Sequence, residues 1–497
     1  MKTIFQFTAI LAILLITLSN RGDAQFVEDA LRLSAPNVQV GARSLGLGSV
    51  LTGTADDFSA TFTNPAGLGL IRMNEFSFGF SNLSVGNTNT FLNQQQSLST
   101  SATNLNSAGL VYTVPTTRGS LVFALGYGRQ ADFSTGLSFS GFNAKSSIIQ
   151  AYAPDDSIVA NPAGNLAWEL FLANADSLGP NRYRWDSKIF DAVTQTGKVL
   201  EGGGLNNYSA AAGIEAAQNV FLGLTLNFIS GLYSYSRNYY EDDFRNIYDS
   251  SRYPFDFKSF SLTEKLETDI SGFSAKFGFL YVIQPKTKIG LTIKTPSWMT
   301  VRETFSSSGR SEFDNGDVYT FPSGTINPSR NEYDVRTPFI FSAGISHAMQ
   351  DITMSADVEY TDWTQIEFKS GTAAVTDFSR YLLDLNADIK TIFHPTANIR
   401  VGAEYEMKDA GVQLRGGFAY LPSPYQSDAA ANAQKYITGG VGFKIENAFG
   451  IDLGYSHGFW ETSHVNYNAY DVNGNALSET KEMIKMNTLV GTLTYRF

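Results

Sequence analysis

GFSAKFGFLYVIQPKTKIGLTIK, residues 272–294, is the stretch on which the fold turns. Phe273, Ala275, Phe277, Phe279, Tyr281 and Ile283 recur at every second position. Beyond Pro285, Ile289, Leu291 and Ile293 alternate with Lys288, Gly290, Thr292 and Lys294. A strand sends successive side chains to opposite faces, so this period gives two strands, each with an apolar and a polar face, joined by a short turn at the proline. The pattern returns on both sides: at Phe76, Phe78 and Phe80, at Leu121 to Tyr127, at Leu222 to Phe228, at Met354 to Tyr360 and at Ile399 to Tyr405.

Worked outward, the alternation predicts strands near 74–86, 106–116, 119–131, 206–217, 219–239, 268–284, 286–304, 337–348, 351–368, 396–407, 412–423, 435–446, 449–463 and 485–497. These are about fourteen, an even number, as in single-chain outer-membrane barrels. After the first strand the connections run long, short, long, short to the end. The short ones fall at 115–118, 218, 285, 349–350, 408–411 and 446–448. Short turns on one side and long loops on the other are the pattern of a transmembrane barrel. The predicted fold class is therefore all-β: a transmembrane antiparallel β-barrel of about 14 strands.

Composition agrees. The 497 residues are only 17% charged and include 37 Phe, 24 Tyr and 44 Gly, which suits many strands and tight turns. A net charge of −11 without a basic patch argues against nucleic acid as a partner. There is no Cys, hence no disulfide framework, thiolate metal site or lipid-modified N-terminal Cys. At the N-terminus, Lys2 precedes an apolar run from Ile4 to Leu18, and Gly22-Asp23-Ala24 offers small residues for cleavage before Gln25. Residues 1–24 read as a signal peptide. No later apolar run approaches helix-spanning length, so a membrane location requires a closed barrel. The last strand ends with Tyr495 and Phe497 on one face, a C-terminal pattern that resembles the signal read by the outer-membrane assembly machinery during biogenesis.

Residues 25–73 are rich in Gly, Ala and Ser and lack sustained alternation, so they are expected as an N-terminal hatch plugging the lumen of a barrel formed by 74–497. The polar strand faces carry Lys276, Asp357, Glu359, Arg400, Glu404, Arg415, Asp452 and Arg496, and the hatch offers Arg43, Asp56 and Asp57. Their mixed signs predict either a lumen charge network holding the hatch or scattered charges in a wet lumen. Gly126 and Gly128 are candidates for a kink in the wall, or simply flank the rim. In the long connection 132–205, Ala163 to Gly179 is a helix candidate, and Phe378 to Ile389 is another.

Chemistry that would make an enzyme is missing from the pattern. The glycines of Gly41 to Gly53 have the wrong spacing and context for a dinucleotide loop. His347, His394, His457 and His464 show no metal-ligand spacing, and there is no Gly-x-Ser-x-Gly elbow. No catalytic, cofactor-binding or metal-binding residue is expected.

Three stretches resemble the FadL/TodX family of outer-membrane transporters for long-chain fatty acids and aromatic hydrocarbons. Gly41 to Gly48, continuing through Thr54-Ala-Asp-Asp-Phe-Ser-Ala to Asn64, Pro65, Ala66 and Gly67, looks like the family's hatch motif. Asp357 to Trp363 and Leu414 to Tyr420, followed by Pro422 and Pro424, look like family barrel strands. The resemblance implies a fourteen-stranded barrel in the bacterial outer membrane, plugged by the hatch. It also implies passive entry of a hydrophobic small molecule between extracellular loops and exit through a gap in the wall. The partners are then that ligand and the outer-membrane lipid, with no cofactor. One departure stands out: the largest insertion follows the third strand, where the family has its largest helical loops after the fifth and seventh. Some family members resemble accessory barrels of a protein-secretion complex, which is the alternative function.

Overall fold

The computed structural model describes residues 27–497 except 36, 38, 188, 250–255, 285, 325–327, 371–376 and 447. The predicted signal peptide and the turn residue Pro285 lie outside the described residues. From Glu75 onward the chain forms an antiparallel sheet closed into a fourteen-strand barrel. Its strands are β1 (Glu75–Phe91), β2 (Gln94–Val114), β3 (Leu121–Asp132, continued by Thr135–Asn143), β4 (Val193–Ala217), β5 (Val220–Asp242), β6 (Phe257–Gln284) and β7 (Thr287–Lys294, continued by Trp298–Phe313). They are followed by β8 (Ile340–Met349, preceded by Ser329–Arg336), β9 (Ile352–Asp362, continued by Glu367–Ser370), β10 (Pro395–Met407), β11 (Val412–Leu421), β12 (Gln434–Ile445), β13 (Phe449–Val465) and β14 (Glu479–Arg496). The ring closes where β1 pairs with β14, from Glu75↔Arg496 to Phe91↔Thr480.

The alternation decides which face meets what. Phe80, Leu125, Phe228, Leu291, Val401 and Leu453 stand exposed around the outside, while the intervening residues turn inward. Large apolar side chains presented all round a closed sheet are what a lipid bilayer requires of a barrel wall. No described helix is long and apolar enough to cross a membrane. On β1 the outward face changes from Phe76, Phe78 and Phe80 to Asn82, Ser84, Thr88 and Thr90, so the strand rises out of the apolar band.

That rise corrects the first connection. A long loop was expected between strands ending near 86 and starting near 106. Instead β1 and β2 continue upward and meet at Leu92 and Asn93, both with positive φ (46° and 65°). The added rungs pair Ser, Thr, Asn and Gln, which form a ladder as well as apolar residues do but give no hydrophobic period.

Among the described residues the α-helices are α1 (Val27–Ser34), α2 (Ala42–Gly46), α3 (Ile149–Tyr152), α4 (Leu166–Glu169) and α5 (Asp377–Ile392). The helix expected over 378–389 is α5. The one expected over 163–179 is a single turn, α4, capped by Asn165. Phe171 then takes a left-handed φ of 58°, and Ala173–Gly179 is a strand paired with Arg182–Ser187. The leucines there serve a different core: Leu166, Leu170 and Leu172 join Phe139, Ile148, Trp185 and Phe260 in a cap over the barrel mouth. Glu241, at the top of β5, pins this cap by accepting from Ser147 Oγ (2.6 Å), Ile148 N (2.8 Å), Gln195 Nε2 (2.8 Å) and Tyr239 Oη (2.7 Å).

Candidate functional site

Residues 41–70 cannot be understood without the barrel wall beside them. Two short 3-10 helices, Phe58–Thr61 and Pro65–Leu70, are started by side chains: Asp57 Oδ1 accepts from Ser59 N (2.8 Å) and Asn64 Oδ1 from Ala66 N (3.1 Å). Pro65 follows Asn64 at the first helical position, where its missing N–H costs nothing. The backbone of the segment lies directly on strand glycines. A Cβ built on Gly290 would stand 1.8 Å from Thr52 O, and one on Gly223 would stand 2.2 Å from Pro65 C. Similar approaches at Gly402 and Gly454 bring Leu47 and Ala42 against β10 and β13. The segment thus touches strands around the whole ring, on the face opposite the exposed apolar residues.

Asn64, 1% exposed, ties the segment together. Its Nδ2 donates to Thr52 O (2.7 Å) within the segment and to Phe279 O (3.1 Å) on β6. Pro65, Ala66 and Gly67 are buried with it, and a Cβ on Gly67 would meet Ala55 O at 2.1 Å.

The candidate charges divide into two groups. Arg43 bonds Asp56 Oδ1 (2.5 Å) and Asp57 Oδ2 (3.2 Å) through Nη1, and grips Glu404 with Nε and Nη2 (both 3.1 Å). Arg415 continues the chain, from Nε to Glu404 (2.6 Å) and from Nη1 to Asp452 (2.5 Å). Lys288, which the sequence reading passed over, closes on Asp56 at 3.4 Å. Burial alone would raise the Asp56 carboxyl, but Arg43 and Lys288 outweigh it and hold it well below the ordinary carboxylate range. Glu75, also passed over, accepts from Phe58 N (3.0 Å) and from Arg496 Nε (3.0 Å), so it joins the segment to the closing strands. Both omissions sit at polar positions of a visible alternation, which was the signal available. These groups line a cavity of about 690 Å³ at the end of the barrel where the short turns lie.

Lys276, Asp357, Glu359 and Arg400 do not join that network. Arg400 Nη2 pairs with Glu359 Oε1 (3.0 Å), Asp357 Oδ2 accepts from Thr52 N (2.8 Å), and Lys276 Nζ donates to Phe62 O (2.5 Å). Two of these four hold backbone of the N-terminal segment instead of a counter-ion. Gly126 and Gly128 lie on β3, close to Phe58 and Phe62 of that segment, and the β2–β3 ladder ends at Ser107↔Gly128. Tyr495 and Phe497 face outward at the closing strand, their rings stacked at 5.6 Å. Among the described residues no group of three His, Asp or Glu is placed to hold a metal ion.

On the side of the long loops an apolar cluster gathers around two helices. α1 packs against α5 among Leu33, Ile229, Tyr233, Trp363, Leu385 and Ile389. Charge enters there at Arg32, which lies over the Tyr233 ring and reaches Asp29 and Glu201.

Comparison with known proteins gives this architecture relatives. The family model described as outer membrane protein transport protein (OMPP1/FadL/TodX) matches residues 202–497. A Pseudomonas aeruginosa FadL homologue superposes with a TM-score of 0.56 at 12% identity, over 93% of this chain and 100% of that one. The Pseudomonas putida toluene transporter TodX superposes with a TM-score of 0.51 at 14% identity, over 93% of this chain and 99% of its own. At such identities the two structures speak to the fold. No curated protein sequence matches. The family match covers more than half of the chain, from within β4 to the last strand, so the chain belongs to the OMPP1/FadL/TodX family of outer membrane transport proteins, and its multi-pass barrel resides in the outer membrane.

Proposed function

We propose that the protein is a non-catalytic, passive channel for hydrophobic small molecules of the long-chain fatty acid or aromatic hydrocarbon class. In this reading residues 25–73 are a hatch, 74–497 are the transmembrane barrel, and the ligand leaves sideways at the kink of β3 beside Gly126 and Gly128. The observation that carries it is the contrast between the two ways out of the lumen. Toward the short turns lies the linked chain Lys288, Asp56, Arg43, Glu404, Arg415 and Asp452, and an apolar molecule crossing there would have to strip buried charges of their partners. Through the wall it would meet a seam where β2 and β3 no longer pair above Gly128. The apolar residues around α1 and α5 are the counterpart inside the lumen. Outer-membrane lipid then receives the ligand, and Tyr495 and Phe497 serve the assembly machinery during biogenesis.

The experiment is native mass spectrometry with lipid extraction on barrel purified in mild detergent. A co-purified apolar molecule, lost in Asn64→Ala, supports uptake. Barrel free of apolar ligand but carrying a stoichiometric protein partner would replace this reading with that of a secretion-complex component.

A further inference from the structure

Three neighbouring strands share one outward pattern. Near the short turns, β12, β13 and β14 show Ile445, Phe449 and Tyr495, exposed and paired in a single row. Ten residues along each strand stands a second row, Lys435, Phe459 and Lys485, again paired across the ladder. Ten residues of strand measure about 33 Å. Tilted by about 40°, they rise about 25 Å, the height of the apolar band on an outer-membrane barrel. The second row therefore stands where acyl chains give way to headgroups, on the side of the long loops. Just below it Ile437, Leu453 and Leu489 are exposed and face the chains.

The row is cationic and its charge is not answered by the protein. Lys435 Nζ lies 5.9 Å from the centroid of the Phe459 ring, and Lys485 flanks that ring on the other strand. Lys481 follows on the same face of β14 and is exposed, like Lys485. Among the described residues none of the three has an ion-pair partner, and Glu461, opposite Met483 on this face, pairs with none of them. Elsewhere the outer face treats its cations differently. On β7 to β9 and their extensions, Arg302 pairs with Glu332 (2.8 Å), Arg310 with Glu312 (2.9 Å) and Arg336 with Glu367 (2.9 Å). Three lysines without carboxylates, in a chain of net charge −11, call for an anion from outside.

Beneath the lysines a hydrogen-bonded trio interrupts the apolar face. Asn487 Oδ1 accepts from Tyr455 Oη (2.8 Å) and lies 2.8 Å from His457 Nδ1. With its oxygen taken, Asn487 keeps its amide nitrogen as a donor for a further group. On β1 the residue opposite Lys485 is Gly86, where a Cβ would meet nothing closer than 3.7 Å, so the flank of the row is open.

We propose that this face of β12 to β14 is a binding site for the phosphorylated headgroup of an outer-leaflet lipid. Lys435 and Lys485, with Cα atoms about 10 Å apart across three strands, converge on a phosphate above Phe459. An ammonium on a flexible stem serves phosphate as a point charge. Lys481 meets a second anionic group of the headgroup, and Asn487 donates to one of its oxygens. The acyl chains run down Ile437, Leu453 and Leu489, and this apolar track directly under the charges is what selects a lipid over free phosphate. The site lies on the outside of the wall and does not depend on what the lumen carries.

The test is a lipid titration read by native mass spectrometry on delipidated barrel in detergent. The probes are lipid A with its phosphates and the same lipid after enzymatic dephosphorylation. Wild type is expected to bind the phosphorylated probe, and Lys435→Gln with Lys485→Gln to weaken it about 25-fold, roughly fivefold for each lysine. Lys435→Arg with Lys485→Arg should retain binding. Lys198→Gln, at an exposed position of β4 away from the row, should leave it unchanged. The dephosphorylated probe should bind wild type as weakly as the phosphorylated one binds the double Gln variant. The heat-modifiable band of a folded barrel on gels confirms that each variant has assembled. Undiminished binding in the double Gln variant, an equal loss in Lys198→Gln, or indifference to the phosphates overturns the site.

Discussion

Asn64 shows how much one amide can carry. Its oxygen starts a helical turn and its nitrogen binds two carbonyls, one of them on the wall. Asn64→Asp keeps the acceptor and loses the donor. It should cost about 1–3 kcal/mol, the penalty of leaving buried carbonyls unpaired, read as a lower thermal midpoint of the folded barrel in detergent. Asn64→Ala loses the cap as well and should fall about 1 kcal/mol further. Arg43→Met leaves Asp57 and one side of Glu404 without their cation, and Asp56 with Lys288 alone. The expected loss is about 3 kcal/mol, toward the low end for a broken buried pair because the network opens to solvent. Its pH signature has a definite sign. The folded-state pKa of Asp56 is depressed, so its contribution is present above the unfolded value of about 3.9 and is lost as pH falls toward the folded one. Wild-type stability should therefore carry an acid limb below about pH 4 that Arg43→Met flattens, as a series of melting curves will show.

At the scale of elements, what the sequence made legible follows from what alternation can encode. Strands with one apolar face, such as β5 and β6, announce themselves because lipid sets their outer side. The upper halves of β1, β2 and β3 do not. Their Ser, Thr and Asn positions face water and other polar groups, so the period of two leaves no mark in hydrophobicity. The misread helix at 163–179 has a related cause: Leu166 and Leu170 sit four apart, as on a helical stripe, but with Leu172 they are drawn into the cap core through a turn at Phe171. The charged site was readable for the same reason as the strands. Glu404 and Arg415 lie at polar positions of clear alternations, while the partnership of Arg43 with Glu404 across 361 positions is a fact of three dimensions alone. The cap also makes its own prediction. Trp185, fully buried in it, should cost about 3–5 kcal/mol on truncation to Ala. The loss should fall on the cap, seen as faster protease cleavage within 144–192 while the barrel keeps its heat-modifiable migration.

For the molecule as a whole, the N-terminal segment and the ion network lie across the lumen, in contact with the wall. In planar bilayers the protein should show no steady open-pore current, and Arg43→Met should raise conductance by loosening the network. The glycine contacts carry a further consequence, for the order of assembly. Main chain lies against main chain at Gly223, Gly290, Gly402 and Gly454, so closely that a methyl group at any of them would collide with the segment inside. A segment seated that tightly cannot be threaded into a finished cylinder past the side chains above and below it. The staves must instead close around a core already in position, as a cooper raises a barrel about a fixed former. The last joint is then the one between Asn74 and Phe497, whose backbones exchange bonds of 3.1 and 3.0 Å where the two ends of the wall meet.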